Sequence, residues 1–471
     1  MPPPITLTSP LPVTDLIFQR ISARQGISAL EEFELELLSQ KPDLPAEDLL
    51  GKPMGVAVAL RDGAERQFNG IVVRMGIGRP QGRFYGYRAS VRPWLWFLTR
   101  TSDCRIFQDM TVPAIVEKVF ADHSAIANFE FKLHRSYRNR TYCVQFRESD
   151  FNFIARLLED EGIYWFFQHK EGEHKLVLVD DLSALSHAEG YEKLPYYDNG
   201  GQAPPDVDYI TGWTFSREVQ TGRTALTSYD FERPSVTLAV DASLVRKHDL
   251  ADYEFFDYQG EYTAKGDGQH LADNRMDESQ ARHERLAANT NAHGLAVGCL
   301  FTLYRHARED QNAKYLCVQT HITASLSGHE SGGTSGDFQC SFGAAPASDA
   351  FRPARGTPKP FVQGPQTAVV VGPSGDEIFT DKYGRVMVQF HWDRYGKKNE
   401  KSSCWVRVSS PWAGKSFGFM QVPRIGQEVV VDFLEGDPDQ PIITGRVYNA
   451  EQMPPWELPA NATQSGLLTR S

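Results

Sequence analysis

The sequence predicts a mainly β, multidomain protein. Three features carry that expectation. Short apolar runs alternate with polar residues and are cut by Gly, Pro and Asp turns, as half-buried strands are. Only two segments show a strong helical stripe. A compact set of strand-like runs follows an Ala/Pro/Gly-rich stretch near the end. The 471 residues also exceed what one core holds, about 250–300 residues, so two to four domains are expected.

The first hundred residues read as strands. Phe33-Glu34-Leu35-Glu36-Leu37 alternates apolar with charged residues, and Asp62-Gly63 marks a turn before the next apolar run. Thr111 with Pro113 opens a helix whose Val112, Ile115, Val116, Val119 and Phe120 share a face. Ser149 or Asp150 opens a second, with Phe151, Ile154, Leu157 and Leu158 as its stripe and Gly162 as its stop. Ile163 to Phe167, a turn at 170–173 and Leu176 to Val179 then read as a β-hairpin. Residues 271–288 lack Gly and Pro but carry a thin apolar stripe, which predicts a mostly exposed helix. Residues 344–365 read as a linker. Beyond it, strand-like runs at 367–371, 385–391, 405–409, 419–422, 428–433 and 442–447 suggest a small barrel of the OB type.

Composition narrows the function. Sixty acidic against 49 basic residues give a net charge of −11, which opposes a nucleic-acid partner or an anionic membrane surface. Cys104, Cys143, Cys299, Cys317, Cys340 and Cys404 are scattered without a C-x-x-C pair, so buried free thiols are expected rather than metal ligands. The N-terminus carries no basic and apolar stretch of a Sec signal, and no run of about 18 apolar residues occurs, so any export is expected by another route.

Catalytic motifs are present only as fragments. Gly414-Lys415-Ser416-Phe417-Gly418 fits G-x-S-x-G, but no helix pattern follows to make a nucleophile elbow. The same Gly414-Lys415-Ser416 lacks the leading Gly of a phosphate loop, since Ser409 stands there. Gly76, Gly78 and Gly82 miss the dinucleotide spacing. His283-Glu284 and His329-Glu330 lack a second His at zinc spacing. Glu159-Asp160-Glu161 reads as a solvated helix end, and Ile163 to Phe167 as a buried strand. No catalytic, cofactor-binding or metal-ligating residue is assigned.

One series of motifs is specific. Phe390-His391-Trp392-Asp393-Arg394-Tyr395-Gly396-Lys397 is followed by Cys404-Trp405-Val406-Arg407-Val408, Pro411-Trp412-Ala413-Gly414-Lys415, Pro423-Arg424-Ile425-Gly426-Gln427-Glu428-Val429 and Phe433-Leu434-Glu435-Gly436-Asp437-Pro438-Asp439. Upstream stand Phe146-Arg147-Glu148-Ser149-Asp150-Phe151 and Tyr229-Asp230-Phe231-Glu232-Arg233-Pro234. In this order they resemble the VgrG family, the spike proteins of the type VI secretion system. The resemblance implies two hub β-barrels with an α/β insertion, followed by an OB-fold barrel, as in contractile phage tails.

On this sequence those parts fall at 1–100 for the first hub barrel, 101–185 for the insertion and 186–345 for the second barrel with an exposed helix. A linker at 346–366, an OB barrel at 367–450 and a tail at 451–471 leading toward a β-helix needle complete the expectation. The implied partners are two further copies in a homotrimer, a hexameric Hcp tube, baseplate components, and a PAAR-type tip and effectors through the needle. No nucleic acid is implied. The implied route is assembly in the cytoplasm and then injection. Arg424, Trp405 and Trp412 are the expected packing or interface residues, since Trp and Arg often anchor interfaces. A phage tail hub, a cell-wall hydrolase tied to such a spike and an OB-type binding module are the alternatives.

Overall fold

A computed structural model describes residues 5–198, 203–204, 206–258, 261–327 and 335–470. His329-Glu330 lies outside them. The chain forms two compact units, Met1–Arg100 with Lys118–Tyr137 and Ile154–Thr357, and Thr101–Glu117 with Arg138–Phe153 and Pro358–Ser471.

The first unit is built on a twelve-stranded sheet. Its path runs through Ile5–Thr8, Pro53–Ala59, Glu65–Ile77, Tyr85–Arg92, Glu32–Ser39, Ile17–Gly26, Lys314–Ser327, Ser335–Pro346, Glu284–Thr290 and Ile210–Arg217. Lys193–Pro195 and Leu300–Tyr304 pair off this path. Among the described residues, two of the cores against this sheet draw on different parts of its path. One gathers Phe18, Phe33, Leu35, Val56, Phe68, Val91 and Ile322. The other gathers Ile210, Trp213, Leu286, Phe301, Leu303, Tyr315 and Phe342. Both cores thus lie along one continuous sheet.

Strand Lys314–Ser327 serves both cores through one irregularity. A register shift lies between Cys317 and Gln319. Before it Tyr315 and Cys317 are in the second core, and after it Ile322, Ala324 and Leu326 are in the first. The inward positions change from odd to even numbers. Side chains alternate faces with period 2, so one extra residue is what lets a single strand feed both cores.

The linear boundaries of the sequence reading differ from this arrangement. Strand Ile17–Gly26 pairs with Lys314–Ser327, so residues 1–100 are completed by strands about 300 residues later. Residues 101–117 and 138–153 belong to the second unit: Ser102–Phe107 pairs with Cys143–Ser149, and Phe107 stacks on Phe153 at 5.2 Å. Long-range pairing of this kind leaves no local signal.

Helix α1 spans Val112–Asp122, α2 spans Asp150–Glu161 and α3 spans Lys265–Gln280. The third corrects the expectation of a mostly exposed helix at 271–288: residues 284–290 are a strand, and Leu271, Ala272, Asn274, Arg275, Met276 and Gln280 are buried. Half of that face is polar and hydrogen-bonded, which an apolar count cannot see. Asn274 donates to the Asp160 carbonyl, Arg275 pairs with Asp160 at 2.5 Å, and Gln280 donates to the Thr221 carbonyl at 2.9 Å.

Residues 347–365 form no helix or strand, yet they are not a free tether. Arg352 is 4% exposed and its guanidinium donates to the Asp180 carbonyl. In the second unit Val362 packs with Tyr142, Val144 and Phe146. That unit carries a five-stranded sheet of Met387–Phe390, Gln366–Val371, Glu428–Phe433, Pro441–Val447 and Arg407–Val408. Ala368, Val370, Val388, Phe390, Val429, Val431 and Ile443 fill its core. No strand forms at 419–422; instead Ala413–Gly414 pairs with Phe417–Gly418 as a short arm.

Candidate assembly surfaces

The motif fragments fall on ordinary structural positions. Ser416 sits at the tip of the two-stranded arm with φ 62°, and no helix follows it. The Gly78 N–H donates to the Gly86 carbonyl within a hairpin. His283 stacks on His248 at 5.8 Å. Glu159, Asp160 and Glu161 are not a solvated helix end: Glu159 accepts from the Thr357 hydroxyl at 2.6 Å, Asp160 holds Arg275, and Glu161 is 1% exposed beside His270. Among the described residues no group of three or more His, Cys, Asp or Glu side chains is gathered to hold a metal ion. Tyr164 to Phe167 is buried throughout, from 0 to 5% exposed.

The specific motif around Trp392 is a local cage. Asp393 accepts from the backbone N–H groups of Tyr395 and Gly396 at 3.0 Å each, and Gln389 donates to it at 3.1 Å. A Cβ on Gly396 would stand 2.2 Å from the Gln389 amide, so a larger residue there would push that side chain off Asp393. Arg394 and the Tyr395 hydroxyl both donate to Asp103 at 2.7 Å. Burial alone would raise the Asp103 carboxyl, but these bonds and the Cys104 N–H hold it below its ordinary value.

Among the described residues, each unit exposes a cluster of large apolar side chains. On the first unit, strand Glu254–Tyr258 is the edge of a three-stranded sheet, parallel to Arg223–Thr227. Tyr253, Phe255, Phe256 and Tyr258 are 62, 43, 62 and 43% exposed. Four large aromatics on an open edge is what soluble monomers avoid, because the edge offers both unpaired backbone groups and apolar area. The sequence reading missed this strand. Its signal is the run Tyr253-Glu254-Phe255-Phe256-Asp257-Tyr258, too aromatic for a loop and lacking period-2 alternation.

On the second unit, the arm carries Trp412, Phe417, Phe419 and Met420, which are 64, 60, 43 and 78% exposed. Together with Val422 and Ile443 they line a groove of about 870 Å³. The residues expected to serve packing or an interface divide here. Trp412 meets Phe417 edge to face at 5.8 Å and leaves most of its ring open. Trp405 is half-buried against Phe379 at 4.9 Å, and Arg424 is held by Glu377 at 2.7 Å. Those two side chains are occupied within the fold.

Residues 24–328 match the phage tail baseplate hub family, and residues 368–448 match the type VI secretion system/phage-baseplate injector OB domain. The chain is 49% identical over 99% of its length to the type VI secretion system spike proteins VgrG1b and VgrG1a of Pseudomonas aeruginosa, covering 63% and 73% of those proteins. It is 35% identical over 93% of its length to the actin cross-linking toxin VgrG1 of Vibrio cholerae, covering 40% of that protein. Among solved structures it is similar to the E. coli c3393 protein, a component of the type VI secretion system with structural similarity to T4 bacteriophage tail proteins gp27 and gp5. The TM-score is 0.66 at 20% identity, over 94% of this chain and 100% of that one. A Francisella PdpA-VgrG complex gives 0.60 at 9% identity, over 92% of this chain and 67% of that one. The chain thus spans about two thirds of the Pseudomonas relatives, and their remaining length lies outside the match.

Proposed function

Since the chain belongs to the VgrG family of type VI secretion system spike proteins, we propose that it is a structural hub whose three copies cap an Hcp tube and deliver effectors. The observation that carries this reading is the family match along 99% of the chain, across both units. The geometry supports it in two ways. Each chain supplies these two cores on one sheet, so three chains supply six, the number that faces a hexameric tube. Each unit also exposes an aromatic surface, at Tyr253 to Tyr258 and at Trp412 to Met420, which a second copy covers. Apolar area of this size is what interfaces bury.

In this reading the chain contributes shape and strength, not catalysis. The PAAR-type tip, the effectors and the baseplate components dock on the assembled spike, which forms in the cytoplasm and leaves the cell by contraction. Among the described residues no helix is long and apolar enough to cross a membrane. The test is the mass in solution by light scattering across a concentration series, alone and with purified Hcp. A trimer that retains Hcp is expected. A chain that stays monomeric at every concentration, with and without Hcp, overturns the proposal.

A further inference from the structure

A turn in the first unit sets two cysteines face to face. Residues 296–299 close with the Cys299 N–H on the Ala296 carbonyl at 3.2 Å. Gly298 takes φ 80°, and its N–H donates to the Cys317 carbonyl at 3.0 Å. The Cys317 N–H returns to the Cys299 carbonyl at 3.0 Å. The regular register begins at once with Leu300 opposite Leu316, so Cys299 stands opposite Cys317 on the same face. Gly298 and Cys299 together stand against Cys317, as in a β-bulge, and neighbouring strands lie about 4.7–4.9 Å apart, inside the roughly 4.4–6.8 Å that a disulfide spans between Cα atoms. The turn is closely packed: a Cβ on Gly298 would stand 2.5 Å from the Phe166 ring.

We propose that Cys299 and Cys317 form a reversible cross-link, closed when the chain meets a disulfide oxidant and open in a reducing compartment. Both are thiols in this structure. Cys299 is half-buried and lines a cavity of about 570 Å³ together with Arg66, Phe166 and Lys170, so it is the sulfur that an oxidant reaches. Burial holds its thiol above the ordinary value, and the Arg66 guanidinium offsets only part of that rise. Cys317 lies behind it in the core, its thiol pushed well up by burial and by the neighbouring Cys340 and Cys299.

The step balances with oxidised glutathione as the oxidant. The Cys299 thiolate attacks one sulfur of the glutathione disulfide and releases one glutathione thiolate, which takes a proton. Cys317 loses its proton, attacks the Cys299 sulfur and releases the second glutathione. Two protein thiols are oxidised and one disulfide is reduced. Cys340 is the competing neighbour, but it sits opposite Ile322. That is beyond the register shift from Cys317, yet Cys340 still bears on the Cys317 thiol, so the Cys340→Ser variant decides between the two partners. The cross-link would tie strand Leu300–Tyr304 to Lys314–Ser327 at the point where the latter passes from one core to the other.

The experiment uses the native chain with excess oxidised glutathione, followed by intact mass, denaturing alkylation and peptide mapping. A loss of about 2 Da is expected, for two hydrogens. Two of the six cysteines should resist alkylation, and the linked peptides should contain Cys299 and Cys317. Cys340→Ser should keep the link. Cys317→Ala should instead leave one glutathione on Cys299. Six alkylatable cysteines at equilibrium with the oxidant, or a link through any other cysteine, would overturn the proposal.

Discussion

Replacing Trp412 with Ala separates assembly from folding. The indole is 64% exposed and its main neighbour is Phe417. Within one chain the change removes little buried area and costs about 1 kcal/mol or less. The backbone bond from the Phe419 N–H to the Trp412 carbonyl, 2.9 Å, survives in Ala. In a trimer the open part of the ring, roughly 150 Å², is covered. At about 25 cal/mol per Å² that is at most ~4 kcal/mol, and a hot-spot value near 2 kcal/mol per contact is the working figure. Three equivalent contacts lose about 6 kcal/mol. The midpoint concentration varies as the square root of the trimer dissociation constant, so it sees about 3 kcal/mol, a rise of roughly 100-fold. Sedimentation equilibrium reads the midpoint, and urea unfolding checks the fold. A midpoint within about threefold of wild type, with the fold intact, refutes the reasoning.

Two further outcomes follow from buried polar groups of the first unit. His174 accepts the Trp94 N–H at 2.9 Å, and burial, helped by His169, lowers its pKa from 6.5 to about 3. The unfolded chain therefore binds a proton that the folded chain refuses, and stability is lost as pH falls from 6.5 toward 3, by at most ~1.4 kcal/mol per pH unit. His174→Gln should flatten that slope in urea denaturation at pH 7, 6 and 5; an unchanged slope rejects the assignment. Arg352→Met should destabilise by about 3 kcal/mol, because it strips the cation 3.6 Å from Asp277 and the donor from the Asp180 carbonyl. Arg352→Met melting like wild type would show that this segment is a tether after all.

Much of the fold was legible because it rests on local rules. Phe33 to Leu37 alternates and lies in a strand whose inward residues are buried. The stripe Val112, Ile115, Val116, Val119 and Phe120 is fully buried on α1. What failed shares one cause, the burial of polar residues by partners distant in sequence. Glu159, Asp160 and Glu161 look solvated until Thr357, Arg275 and His270 are brought to them. The segment after residue 346 looks like a linker until Arg352 finds Asp180 and Asp277. The assembly surfaces were half legible for a different reason. Trp412 was expected on residue type alone, and the same rule named Trp405 and Arg424, whose side chains the fold already uses. Residue type says what a side chain offers. Exposure decides whether the offer remains open, as it does along Tyr253 to Tyr258, where no motif pointed.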